Sequence, residues 1–195
     1  LGDDNYIIKI ISSKIAIDRF YDEFNEKKIL EEMIEISSPD LKQQTIFIWP
    51  EGVFTSSSLN QLKKYKNIFN NNFSKKHIII LGINDVLSIS GKEEIYNSLV
   101  VTDNNLNIKN IYYKNKLVPF GEFLPFENFL QIFGLESVIH HYNSFSEGTK
   151  RDVIDIRNNY FDLNFLPLIC YEIIYSGSLS NNSEFDFIIN ISEDG

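Results

Sequence analysis

A single cysteine in 195 residues excludes an internal disulfide, so Cys170 either packs as a small apolar group or reacts. Positive charge is also scarce: 18 Lys and Arg stand against 27 Asp and Glu, a net charge of −9. A nucleic-acid surface needs clustered cations that displace phosphate counterions, and none is expected here. The short basic runs Lys63-Lys64-Tyr65-Lys66 and Lys75-Lys76 read as a solvated helix face and a loop before a strand. Long apolar runs are missing. Tyr6–Ile11 and Phe165–Cys170 are strand-sized, well short of the roughly 18 residues that span a bilayer. The chain begins with Leu rather than Met and has no signal-peptide pattern, so a piece of a longer protein is expected. His140 and His141 are adjacent and do not share a helix face, and no Cys or acidic residue stands at a matching spacing; no metal site is expected.

What is present is a globular composition. Hydrophobic residues make up 43%, with 16 Phe and 10 Tyr, and the length suits one domain around one core. Short β-branched and aromatic runs alternate with longer periodic segments, the signature of an α/β fold. Asn5–Ile11 reads as a first strand and Asp18–Ile36 as a crossover helix, with Phe20, Phe24, Leu30, Met33 and Ile34 at helical spacing and Ser37-Ser38-Pro39-Asp40 as its breaker. Thr45–Trp49 is a buried-type strand stopped by Pro50. The serines at 56 to 58 are cap candidates for a helix reaching about Phe69. His77–Ile83 is a further strand. Tyr96–Thr102 and Ile108–Tyr113 flank the turn Asp103-Asn104-Asn105, and Val153–Ile156 and Tyr160–Ile169 flank Asn158-Asn159, so two antiparallel hairpins are predicted. Phe185–Ile191 closes the series. Crossovers early and hairpins late predict mixed sheets.

Three polar residues stand where predicted strands end, which is where α/β folds place chemistry. Glu51 follows Thr45–Trp49, Lys114 follows Ile108–Tyr113, and Cys170 follows Phe165–Ile169. A carboxylate, an ammonium and a thiol at one sheet edge supply a base, an oxyanion stabiliser and a nucleophile, the parts of an acyl-transfer site. The backbone N–H of Tyr171, if it opens a helix, is a second oxyanion donor. Taken singly, each residue also has a structural reading: a packed core thiol, a turn carboxylate after Trp-Pro, an exposed strand-end lysine.

The segments around these positions share one resemblance. Ile48-Trp49-Pro50-Glu51-Gly52 resembles the catalytic-Glu segment of nitrilase-like carbon-nitrogen hydrolases. Tyr113-Lys114-Asn115-Lys116-Leu117-Val118-Pro119-Phe120-Gly121-Glu122-Phe123-Leu124-Pro125 resembles their Lys motif, and its Leu-Val-Pro-Phe-Gly-Glu core resembles the apolipoprotein N-acyltransferases in particular. Cys170-Tyr171-Glu172 resembles the nucleophile segment, and Tyr96-Asn97-Ser98 the family's Tyr-Asn-Ser strand.

The resemblance implies a nitrilase-like α-β-β-α sandwich with mixed sheets over residues 1–195. It implies that the domain is incomplete at its C-terminus, where Ser192-Glu193-Asp194-Gly195 stands in place of the usual Ser-Asn-Asp run, and that an N-terminal membrane domain is missing. Glu51 is implied as base, Lys114 as oxyanion stabiliser and Cys170 as acylated nucleophile. Glu122 is implied to hold Lys114 or the attacking amine, and Tyr171 and Glu172 to shape the site; a solvent-facing loop carboxylate is the alternative for Glu122 and Glu172. No cofactor is implied. The implied reaction moves a fatty acyl group from a phospholipid to the N-terminal cysteine amine of a diacylated lipoprotein, at the periplasmic side of a bacterial inner membrane. The alternatives are a soluble amidase of the same superfamily and an inactive fragment. Phe120, Phe123, Phe126 and Phe129 recur every three residues, either as core packing or as an apolar lid against lipid chains.

Overall fold

The computed structural model describes residues 6–12, 26–119, 121–123, 144–178 and 184–192. Strands β1 (Ile7–Ile10), β2 (Thr45–Ile48) and β4 (His77–Ile89) run parallel, and β3 (Phe54–Ser58) adds to β4 in an irregular register. β5 (Lys92–Thr102) and β6 (Ile108–Tyr113) then extend the sheet antiparallel. A second sheet pairs β7 (Ile154–Arg157) antiparallel to β8 (Asp162–Ile169), and β8 parallel to β9 (Phe187–Ile191). Parallel neighbours need a crossover. Helix α1 (Glu26–Ser37) lies between β1 and β2, while β3 and the helices α2 (Leu59–Leu62) and α3 (Lys66–Asn72) lie between β2 and β4.

Alternation along β2 explains the layering. Its four residues are all buried because both faces are covered. Phe47 packs with Leu30, Met33, Phe69 and Phe73 in a core between the sheet and its helices. Ile46 and Ile48 join Ile78, Ile80, Leu99 and Val101, which meet Ile154, Ile156, Phe165, Ile169, Ile189 and Ile191 of the second sheet. Helix α1 suits the first core because Ile29, Leu30, Met33, Ile34 and Ser37 fall on one stripe. The helix stops at Ser38, which takes a φ of 42°, just before Pro39. Trp49 anchors the same core, its indole N–H donating to Ser37 Oγ at 3.0 Å. In β8, Leu166 and Leu168 alternate with Phe165 and Ile169 and are also fully buried, so both faces of the strand are closed to solvent.

The mixed α/β architecture and both predicted hairpins are present. Several boundaries move. β4 and β5 run on as a long ribbon to a turn at Ser90 and Gly91, whose φ values of 52° and 82° are the left-handed pair a tight hairpin needs. Ser56 and Ser57 belong to β3, and the helix predicted beyond them breaks at a 3-10 turn, Lys63–Tyr65, before resuming as α3. The first half of the predicted crossover helix, with Phe20 and Phe24, lies outside the described residues, as do His140, His141, Phe120, Phe126 and Phe129.

Candidate active site

Glu51, Lys114 and Cys170 each follow a strand, and the two sheets bring those strand ends together. Trp49 still pairs with β4, its N–H donating to the Ile80 carbonyl at 2.8 Å. Pro50 has no N–H to continue the ladder, and Glu51 turns across Gly82. A Cβ at position 82 would lie 2.6 Å from Glu51 Cα and 3.0 Å from the Pro50 carbonyl oxygen, so only glycine admits this crossing. The Lys114 N–H donates to the Asn97 carbonyl at 2.9 Å, and the Lys114 carbonyl accepts from Gly148 N at 2.8 Å. Cys170 ends β8 with a φ of 53° and opens a 3-10 helix, Cys170–Ser178. A non-glycine residue held in this region is strained, and such strain collects at functional sites.

The side chains converge around Lys114, which is only 1% exposed. Its Nζ lies 2.7 Å from Glu122 Oε1 and 3.7 Å from Glu51 Oε1. Asn97 Nδ2 donates to the same two oxygens, at 2.7 Å to Glu51 and 3.1 Å to Glu122. The second Glu122 oxygen accepts from Val118 N at 2.8 Å, which fixes the loop after Lys114. Glu51 and Lys114 are charged neighbours of the Cys170 thiol.

Burial makes Glu51 a stronger base and Cys170 a weaker acid. Burial pushes the Glu51 carboxyl above its ordinary value, Glu122 adds to the rise, and Lys114, Asn97 and the Cys170 thiol oppose it. Burial and then the Glu51 charge push the Cys170 thiol up, against Lys114 and the Tyr171 N–H. Cys170 is therefore a neutral thiol near a carboxylate of strengthened basicity.

The remaining predicted residues lie near these three. Glu122 holds Lys114, and Glu172 is fully buried in a hydrogen-bonded network; neither is a solvent-facing loop carboxylate. Lys114 is not an exposed strand-end charge. Tyr171 is 57% exposed beside the thiol. Three further residues escaped the sequence analysis as site members: Asn97, Tyr112 and Arg151. Asn97 had a signal in the quoted Tyr-Asn-Ser strand; Tyr112 and Arg151 had none. A cavity of about 400 Å³ opens beside the Lys114 loop, lined by Leu117, Phe123 and Phe145, with a Lys116–Glu147 ion pair at 3.5 Å. Among the described residues no cluster of three or more His, Cys, Asp or Glu is arranged to hold a metal.

No protein-family model matches the chain. It is 31% identical over 194 residues to an apolipoprotein N-acyltransferase of Wigglesworthia glossinidia brevipalpis, covering 96% of this chain and 37% of that protein. It is 26% identical over 195 residues to that of Caulobacter vibrioides, covering 96% and 36%. The chain thus spans about a third of the length of these curated relatives. Among solved structures, a glutamine-dependent NAD+ synthetase from Acinetobacter baumannii shares the fold at a TM-score of 0.52 and 17% identity, covering 87% of this chain and 30% of that one. A CN-hydrolase superfamily protein from Xanthomonas campestris matches at a TM-score of 0.48 and 12% identity, covering 86% and 58%. By sequence the chain is a homologue of the apolipoprotein N-acyltransferases over almost its whole length, and it shares the fold of part of the NAD+ synthetase.

Proposed function

We propose that this chain is the catalytic domain of an apolipoprotein N-acyltransferase, which moves a fatty acyl group from a phospholipid, through a thioester on Cys170, to the α-amine of a lipoprotein's N-terminal cysteine. The observation that carries this reading is the convergence of a thiol, a carboxylate of raised pKa and a buried ammonium at adjoining strand ends, in a chain whose relatives bear that name. The relatives' name also favours a lipoprotein acceptor over the water acceptor of an amidase.

The proposed steps give each of these groups a role. Glu51 takes the Cys170 proton as sulfur attacks the ester carbonyl carbon of the phospholipid. The carbonyl oxygen becomes negative, and Lys114 Nζ and the Tyr171 N–H stabilise it, a contribution of about 3 kcal/mol per donor. The intermediate collapses, the C–O bond breaks, and Glu51 returns the proton to the leaving lysophospholipid alcohol. The acceptor amine then attacks the thioester carbon and gives its proton to Glu51. The C–S bond breaks, an amide forms, and the thiol regains its proton. Glu122 and Asn97 hold Lys114 and Glu51 in register throughout.

Among the described residues no helix is long and apolar enough to cross a membrane. In the proposed setting, helices elsewhere in the longer protein hold this domain at the periplasmic face of the inner membrane, where donor and diacylated acceptor both reside. The test is transfer of a labelled acyl group from phospholipid vesicles to a diacylated lipopeptide by the intact protein. Wild type is expected to label the amine and Cys170→Ser is expected not to; labelling by Cys170→Ser at the wild-type rate refutes the assignment.

A further inference from the structure

Behind the nucleophile lies a buried ion pair that the acyl-transfer steps do not use. The Glu172 carboxylate accepts from five donors drawn from separate stretches of chain. Ile169 N donates to Oε2 at 2.9 Å, closing a short loop around Cys170. Asn115 N and Lys116 N, the two residues after Lys114, donate to Oε1 at 3.0 and 2.9 Å. Arg151 Nη2 lies 2.9 Å from the same oxygen. The Tyr112 hydroxyl donates to the carboxylate at 2.7 Å and accepts from Arg151 Nε at 3.2 Å. Glu172 thus ties the residue before the nucleophile to the residues after the catalytic ammonium.

Such a clamp requires a counterion. Glu172 is fully buried, the Arg151 side chain is 9% exposed, and among the described residues Arg151 is the cation paired with Glu172. A buried carboxylate stripped of its partner repels further negative charge and drives its surroundings to rearrange. The Cys170 turn cannot absorb that rearrangement without cost, because its left-handed φ persists only where the surroundings over-determine it. Arg151 also uses two N–H groups of its planar guanidinium, Nη2 on Glu172 and Nε on Tyr112, which a point charge does not reproduce.

We propose that Arg151 is a positioning residue: its pairing with Glu172 and Tyr112 keeps the Ile169–Cys170 turn and the Lys114–Lys116 segment in one register, so that thiol and ammonium address the same carbonyl. This rests on the acyl-transfer assignment and deepens it. Arg151 touches no reacting atom.

The test compares Arg151→Met, Arg151→Lys and Cys170→Ala in the intact protein. The readouts are kcat and KM for acyl transfer, the rate of Cys170 alkylation by iodoacetamide mapped by mass, and thermal melting. Arg151→Met is expected to lower kcat on the order of 10²-fold with KM little changed, because a displacement of about 1 Å at the reacting atoms costs that much. Cys170 alkylation is expected to slow in parallel as the thiol leaves Glu51 and Lys114. Arg151→Lys is expected to recover part of both rates. Where Arg151→Met alone fails to fold, Arg151→Met with Glu172→Gln removes the unpaired charge; it too is expected to be slow, since the neutral amide lacks the second acceptor oxygen that Ile169 uses. A lower melting temperature with wild-type kcat and alkylation, in the single or double variant, overturns the proposal, as does an Arg151→Lys no faster than Arg151→Met. Acyl transfer by Cys170→Ala overturns the acyl-transfer assignment itself; an inactive Cys170→Ala beside a normal Arg151→Met overturns the positioning role alone.

Discussion

Replacing Gly82 by alanine is the smallest change with a computable effect on the site. The added Cβ would lie 2.6 Å from Glu51 Cα, whereas ordinary contact begins at 3.4 Å, so one of the two backbones moves by about 0.8 Å. The obstacle is main chain, so no rotamer change relieves it. Pro50 restrains the movement from one side, since its carbonyl oxygen would be only 3.0 Å from the same atom. Overpacking of this kind costs roughly 1–3 kcal/mol. At about 2–4 °C per kcal/mol for a chain of this size, the melting temperature falls by a few degrees to about ten. Because the displaced backbone carries the proposed base, the rate of Cys170 acylation is expected to fall by about 10²-fold. The assay is the burst of p-nitrophenol from an acyl ester, beside thermal melting of the same preparations. Gly91→Ala is the control: Gly91 has a φ of 82° but nothing within 4 Å of an added Cβ, so its variant loses stability, by roughly 1 kcal/mol, without slowing the burst. A Gly82→Ala protein that melts and reacts like wild type refutes the close crossing of β4 under Glu51.

Lys114→Met removes the buried cation from between Glu51 and Glu122; breaking such a pair costs about 3–5 kcal/mol, so a melt shows a clear loss alongside a 10²- to 10³-fold slower acylation, whereas a stable variant contradicts the burial of Lys114. With Glu51 as the proposed base, the acid limb of kcat/KM is expected above pH 4.5, and Glu51→Gln removes that limb together with about 10²- to 10⁴-fold of rate. The same shift has a sign for stability. With the folded pKa above the unfolded 4.5, the native state binds the extra proton in that window and loses stability as pH rises through it, so the melting temperature of Glu51→Gln gains on wild type as pH rises above 4.5. His77 acts oppositely: burial lowers its pKa below 6.5, the unfolded chain binds the extra proton, and stability falls as pH drops below about 6.5; a flat melt profile from pH 8 to 5.5 contradicts this.

Much of this architecture is legible in the residues. Thr45–Trp49 and His77–Ile83 read as strands because continuous apolar runs have two covered faces, and Pro50 marks where pairing stops. The positions of Glu51, Lys114 and Cys170 at strand ends follow from the same patterning. The long β4–β5 ribbon was not legible, since Ser88, Lys92, Glu93 and Glu94 carry little strand propensity and are held there by cross-strand pairing. Of the serines at 56 to 58, Ser58 is the N-cap of α2, its N–H donating to Gln61 Oε1, while Ser56 and Ser57 fall within β3. Burial of charge was the least accessible feature. Nothing in the chain order announces that Arg151, Tyr112 and Glu172 meet, because that contact exists only once both hairpins have packed.

The central claim is that Cys170 carries the acyl group between donor and acceptor. The most direct measurement is mass spectrometry of the intact protein after incubation with phospholipid alone, with no amine acceptor present. The account predicts one added fatty acyl mass on the peptide containing Cys170, released by hydroxylamine and absent from Cys170→Ser. An adduct on another residue, or turnover by a protein in which Cys170 never becomes acylated, contradicts it.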